Sequence, residues 1–321
     1  MTRLAVIVGA LALCCTACAG DVIGDYPSPP TPAITASPSA EEENDPGILA
    51  EIAVEGSPCF LAEAAGRVWV TSFDGNELSE IDPQANEVVD TYAMPEGPCG
   101  MVVTDGTLWI ESGDTLVGFD PGQREVVDRV RVPGGVVGLT TSASGLWGLS
   151  GRDDLILQLD PRSGRVIGRV EVEGPLTGLA VQGDDIWTIS GREAIVRIDP
   201  ATHEVVERFA LDSYEPEGLA IDGNTLWVSS SFESDVLQVD ARTGRVEDRT
   251  TVDASLFGGV IVGDSYWVSG SNGTIYRLDA ESGELEDQIE LVGFGPIPAA
   301  GNLWTVDFLT DAVFRLDEPA P

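Results

Sequence analysis

The chain contains no lysine. Its 17 basic residues are all arginine, and 54 acidic residues set against them give a formal charge of −37 over 321 residues. A surface this negative repels nucleic acid and anionic lipid headgroups, which excludes both as partners of a folded basic face. The excess acid has two readings: solvation of the fold in a salty setting, or an acidic mouth that receives a cationic ligand. Histidine occurs once, at His203. Of five cysteines, three fall within the first 18 residues. The other two, Cys59 and Cys99, have no further Cys or His with which to complete a thiolate metal site. Beyond the N-terminus no apolar run approaches the ~20 residues of a membrane span.

The N-terminus opens on Arg3, runs through an apolar stretch from Leu4 to Leu13, and ends in the small-residue segment Cys14-Cys15-Thr16-Ala17-Cys18-Ala19-Gly20. This reads as a secretory signal over residues 1–18, too short to span a bilayer. Ala17 before Cys18 resembles a bacterial lipobox, with Cys15 where leucine is usual, and implies lipidation of Cys18. Ala17-Cys18-Ala19 also fits ordinary cleavage, which would release a soluble secreted protein. Residues 19–47, rich in Pro, Ser, Ala and acid, have no hydrophobic period and read as a disordered tether. The expected location is therefore outside the cytoplasm, at the cell membrane, with contact to the membrane only through the lipid.

From residue 48 the chain repeats. The seven tryptophans, Trp69, Trp109, Trp147, Trp187, Trp227, Trp267 and Trp304, are spaced by 40, 38, 40, 40, 40 and 37 residues. Each period holds four strand-like runs, as in GLAI, TLWVSSS, VLQVD and VEDRTTV across residues 218–252. One aromatic and four strands per ~40 residues are the signature of a β-propeller. Each Trp, at the middle of a second strand, is expected to pack between blades. The first run, Ile48 to Val54, reads as a fourth strand with nothing before it. The last repeat, through Val313 to Leu316, lacks a fourth strand. The two deficits match, so residues 48–318 are expected to form an all-β, seven-bladed propeller closed by its N-terminal strand, with no exposed edge left at the join.

The turn between third and fourth strands recurs at Asp82, Asp120, Asp160, Asp199, Asp240 and Asp279. Four residues further on stand Asn86, Arg124, Gly164, His203, Gly244 and Gly283. Gly and Asn suit a positive φ, which places the single histidine at a turn position rather than in a catalytic one.

Cys59 and Cys99 each precede their blade's Trp by ten residues, so they occupy equivalent starts of neighbouring inner strands. An exported protein with one such pair is expected to oxidise it. The same offset in the other blades selects Val137, Thr177, Glu217, Phe257 and Phe294, a ring at the mouth of the central channel. Loops between second and third strands open on that face and bring Arg152, Arg192, Glu111 and Asp307 towards it. The expected ligand site comprises Thr177, Glu217, Phe257, Phe294, Arg152, Arg192 and Asp307. Binding sites on propellers favour such mouths because their loops vary freely.

Repeats such as LWVSSSFESDVLQVDARTGRV and LWGLSGRDDLILQLDPRSGRV resemble the streptogramin (virginiamycin B) lyase-like and YVTN-type seven-bladed propellers, over residues 48–317. The resemblance implies the fold. The lyases work with a histidine pair and a metal at the channel mouth, and His203 alone does not match that pair, so no catalytic residue carries over. The first functional expectation is a non-enzymatic, monomeric scaffold that binds a small molecule, peptide or protein, with no cofactor. The alternative is a gluconolactonase-like hydrolase or lyase in which Glu217 and Asp307 hold Ca²⁺, for which oxygen ligands suffice.

Overall fold

The computed structural model describes residues 47–191, 193–211 and 215–317. Within them the chain forms twenty-eight strands, β1 to β28 in chain order, and no helix. Residues 1–46, where a signal segment with Cys18 and a tether are expected, and Arg192 lie outside the described residues.

Six consecutive four-stranded meanders build blades 1 to 6, over residues 58–93, 98–131, 136–171, 176–210, 216–251 and 256–290. The seventh blade comes from both ends of the sequence. It holds β26 (Phe294–Ala299), β27 (Asn302–Asp307) and β28 (Ala312–Leu316), and β1 (Ile48–Ala53) is its outer strand. Antiparallel pairing sets Ile48 against Leu316 and Ala53 against Ala312. The backbone continues the join at both ends, where Asp317 N–H donates to Gly47 O and Val54 N–H to Asp311 O, each at 2.8 Å. The ring is closed as the two unmatched half-blades require.

Burial follows strand position. The second strand of blade 2, Thr107–Ser112, is buried from Leu108 onward because neighbouring blades cover both of its faces. The outer strand Glu125–Arg131 alternates strictly, with Val126, Asp128 and Val130 half-buried and the residues between them exposed, since one face meets water. The core is accordingly seven clusters between blades rather than one centre. One joins Trp69 and Leu78 to Met101, Leu108 and Phe119 across blades 1 and 2. All seven tryptophans are buried. The Trp69 ring meets Phe119 of the next blade edge-on at 5.2 Å, and Trp227 stacks on Tyr266 of the next at 4.8 Å.

The Asp turns carry out their local task. The Asp82 carboxylate accepts the N–H groups of Gln84 and Ala85, which hold its carboxyl below the usual range. Asn86, Arg124 and His203 all have φ between 55 and 59°. His203 is the histidine that the repeat placed in a turn. Its Nε2 lies 2.7 Å from Gln158 Oε1 and its ring meets Trp147 edge-on, so it stitches blade 4 to blade 3.

Candidate functional site: the mouth of the central channel

Every inner strand carries a register break at its start, between Pro58 and Phe60, Pro98 and Met101, Val137 and Thr140, Thr177 and Leu179, Pro216 and Gly218, Leu256 and Gly259, and Phe294 and Ile297. A bulge supplies one extra residue and re-aims a side chain. All seven breaks fall at or beside the positions that the ten-residue offset selects. The mouth is therefore a ring of bulges.

Glycine follows most of these positions because the strands crowd together near the axis. A Cβ on Gly218 would lie 2.8 Å from Gly258 Cα and 3.0 Å from Phe257 O. A Cβ on Gly178 would lie 3.0 Å from Glu217 O. Side-chain hydroxyls then bond around the ring: Thr71 Oγ1 donates to Cys99 O at 2.7 Å, and Ser229 Oγ to Phe257 O at 2.5 Å.

Cys59 and Cys99 are joined, with Cα atoms 5.2 Å apart, and tie the inner strands of blades 1 and 2. Both are buried. Closing a 40-residue separation is worth roughly 3–4 kcal/mol on the chain-entropy model. A Cys59→Ala/Cys99→Ala variant is expected to lose about that much in chemical denaturation. Unreduced native protein is expected to take no alkylating label at either position, and labelling there would contradict the bond.

Glu217 stands at the bulge of β18 (Pro216–Asp222) and is half-buried. Its Oε1 is shut in with no hydrogen-bond partner. Burial pushes its carboxyl above the usual range, against a hydrogen bond from the Ser231 side chain. Next around the ring, Phe257 and Phe294 meet at a centroid distance of 5.1 Å. Phe294 also meets Phe308, on the loop after β27, at 4.7 Å. All three residues are half-buried, and Phe294 packs in part against the cluster of Leu61 and Trp304. Thr177 lies on the other side of Glu217, its Oγ1 3.4 Å from Pro216 O.

The remaining expected site residues are placed differently. Arg152 is exposed and reaches Asp114 of the neighbouring blade at 3.7 Å. Asp307 is buried, and both of its oxygens staple its own loop: Oδ1 accepts Leu309 N–H at 2.8 Å and Oδ2 accepts Thr310 Oγ1–H at 2.7 Å. Among the described residues no three His, Cys, Asp or Glu side chains converge to hold a metal ion. Glu217 and Asp307 thus do not assemble the donor set that Ca²⁺ needs.

Glu111 corrects the reading that put it on a mouth loop. It lies inside β7 (Thr107–Ser112), 6% exposed, two residues after Trp109. Its Oε1 accepts Leu139 N–H from blade 3 at 2.9 Å. A Cβ on Gly100 would sit 2.5 Å from its Oε2, so the carboxyl fills the space that Gly100 leaves. Burial raises its pKa to about 8, against the pull of the Leu139, Gly100 and Gly138 N–H groups. Thr71, Glu111 and Ser229 all occupy the second position after a Trp and all bond to the next blade. Polar residues recurring inside apolar second strands were the signal for this belt.

Two grooves lie on the flanks. One of about 340 Å³ runs between blades 2 and 3 over Val130, Leu155 and Leu157, with Asp153, Arg165 and Arg169 along it. The other, of about 240 Å³, holds Arg197 over the Trp187 ring, already paired with Asp185 and Glu207. Both are built from interblade packing residues, whereas the mouth is where the repeats diverge.

No protein-family model matches the chain, and no curated protein matches it in sequence. Solved structures do resemble it. BamB from Moraxella catarrhalis superposes with a TM-score of 0.63 at 12% identity, covering 84% of this chain and 99% of that one. Hydrazine synthase of Kuenenia stuttgartiensis gives 0.70 at 14%, covering 83% and 96%. The Cps50 (Swd1) β-propeller domain of Myceliophteria thermophila gives 0.67 at 13%, covering 85% and 100%. At these identities the likeness shows a shared fold, and with its seven closed four-stranded blades the chain is a seven-bladed β-propeller.

Proposed function

We propose that this protein is an exported propeller, tethered through Cys18, that works as a binding scaffold with its ligand site at the channel mouth around Thr177, Glu217, Phe257 and Phe294. The observation that carries the reading is the break in symmetry there. Where the blades agree, the residues hold the ring together: Trp, Gly and the Asp turns. At the mouth bulges they differ: one blade places there a carboxylate oxygen that lacks a partner, and the next two bring together three half-buried phenylalanines. Exposed aromatic clusters and orphaned polar atoms both gain from a ligand that covers them. The disulfide favours an oxidising compartment. Arg152, exposed on its loop, forms part of the rim, and Asp307 serves it by holding the loop that carries Phe308. Neither a lyase nor a Ca²⁺-dependent hydrolase draws support from the residues at the mouth.

The test places a photo-crosslinking residue at Phe308 on the mouth, or at Glu281 on the turn face, in cells that make the full chain. An adduct from Phe308 and none from Glu281 is the expected result. Adducts confined to Glu281 would move the site to the opposite face and overturn the reading.

A further inference from the structure

The mouth also indicates the chemical class of what it binds. Glu217 and Phe257 sit on adjoining inner strands held together by the Ser229 Oγ to Phe257 O bond of 2.5 Å. From Phe257 the aromatic surface continues without a gap through Phe294 to Phe308. Glu217 and Phe257 stand at the equivalent register breaks of adjoining blades, so an arc of three rings and one carboxyl share the same face of the mouth. A phenylalanine face carries negative quadrupole density and attracts a desolvated cation, most strongly one whose own surface is apolar. A carboxylate oxygen shut in without a donor is costly and gains from a nearby positive charge that needs no directed hydrogen bond.

The charges around the arc point the same way. Arg249, on the outer strand of the same blade as Glu217, is already shared between Asp235 and Glu233. Arg208 of the preceding blade donates to Ser190 Oγ at 2.8 Å, and Arg152 lies two blades away against Asp114. The chain as a whole carries −37. Cations are therefore drawn to this surface and organic anions repelled. A small hydrated metal ion gains little from three phenyl rings, and no multi-carboxylate cluster accompanies Glu217 among the described residues. An alkylated ammonium group satisfies both halves of the arc at once, since its methyl surface packs on the rings while its charge answers the acid.

We infer that the mouth binds an organic cation of the alkylated or quaternary ammonium class, with the ammonium group seated on Phe257, Phe294 and Phe308 and neutralised by Glu217. This inference rests on the mouth being the ligand site. It adds the ligand's charge and chemistry.

The test compares choline with its neutral isostere 3,3-dimethylbutan-1-ol, which has the same shape without the charge. Protein labelled with 4-fluorophenylalanine reports binding by fluorine NMR, with resonances assigned through single Phe→Leu variants. Choline is expected to shift the signals of residues 257, 294 and 308 and to leave the buried Phe60 and Phe119 unmoved. The neutral isostere should bind about tenfold or more weakly. Glu217→Gln should weaken choline by a similar factor and leave the isostere unchanged. High salt should weaken choline alone in the unmodified protein, so the charge is tested even if the variant folds poorly. Equal binding of both compounds, with no effect of Glu217→Gln, would overturn the cation and leave the mouth standing as an apolar site. Failure of choline to move the three mouth signals would overturn the cation class outright, and the crosslinking experiment judges the mouth separately.

Discussion

Deleting residues 1–55 is expected to destabilise the propeller by several kcal/mol, whereas deleting 1–45 should leave its stability almost unchanged. The shorter deletion keeps Gly47, whose carbonyl accepts Asp317 N–H, and keeps all of β1. The longer one removes the outer strand of blade 7 together with Ile52 and Val54, which are 4% and 2% exposed. Both side chains pack in one cluster with Leu61, Val70, Trp304 and Val313, so their loss opens the seam between the last blade and the first. Burying two such side chains is worth roughly 3–6 kcal/mol at ~1.5–3 kcal/mol each. The deletion also bares the hydrogen-bonding edge of β28, which invites strand exchange between molecules. Urea denaturation gives the stability difference and sedimentation the oligomers. If the two truncations melted alike, closure by β1 would contribute nothing to stability.

The second large effect concerns Glu111 and is read through pH. Its folded-state pKa is raised from 4.5 to about 8 by burial. A group raised in this way leaves stability intact below the unfolded value and removes it progressively as pH climbs to the folded one. Full ionisation would cost on the order of 3–5 kcal/mol, at about 1.4 kcal/mol per pH unit of separation. Glu111→Gln keeps the shape and cannot ionise. The variant should match the unmodified protein near pH 4.5, gain on it steadily between pH 5 and 8, and hold a constant advantage above that. Taking the difference between the two proteins cancels the general repulsion among 54 acidic residues, which also grows with pH. Melting curves from pH 4.5 to 9 check it. A constant offset across the range would show that the carboxyl does not titrate there, and that the Leu139, Gly100 and Gly138 N–H groups outweigh burial.

The architecture could be read along the chain because each repeat states it again. A Trp every ~40 residues, an incomplete blade at each end and an Asp turn before the fourth strand of six blades are local patterns, and the ring that closes at Ile48 and Leu316 follows from them. The pairing of Cys59 with Cys99 was legible for the same reason, since equivalent positions in adjacent repeats must be neighbours in a ring. His203 was placed correctly by its offset from Asp199, because turn geometry depends on only a few consecutive residues.

What the repeat could not decide is which polar side chains turn towards the next blade and which towards water. Glu111 and Asp307 both sit close to the mouth loops in sequence, yet both carboxylates are buried, one on the space left by Gly100 and one folded onto its own loop. Their roles depend on bulges and on neighbours some 28 residues away or on the turn just ahead, distances at which hydrophobic periodicity carries no information. The gathering of Phe257 with Phe294 and Phe308 is likewise a product of the closed ring, because two neighbouring blades contribute to it. Sequence by itself determined the blades, their number and their closure, since those arise from patterns repeated within every ~40 residues. Only the tertiary structure decided the chemistry of the mouth, because that is set by side chains meeting across blade boundaries, where the repeats cease to be alike.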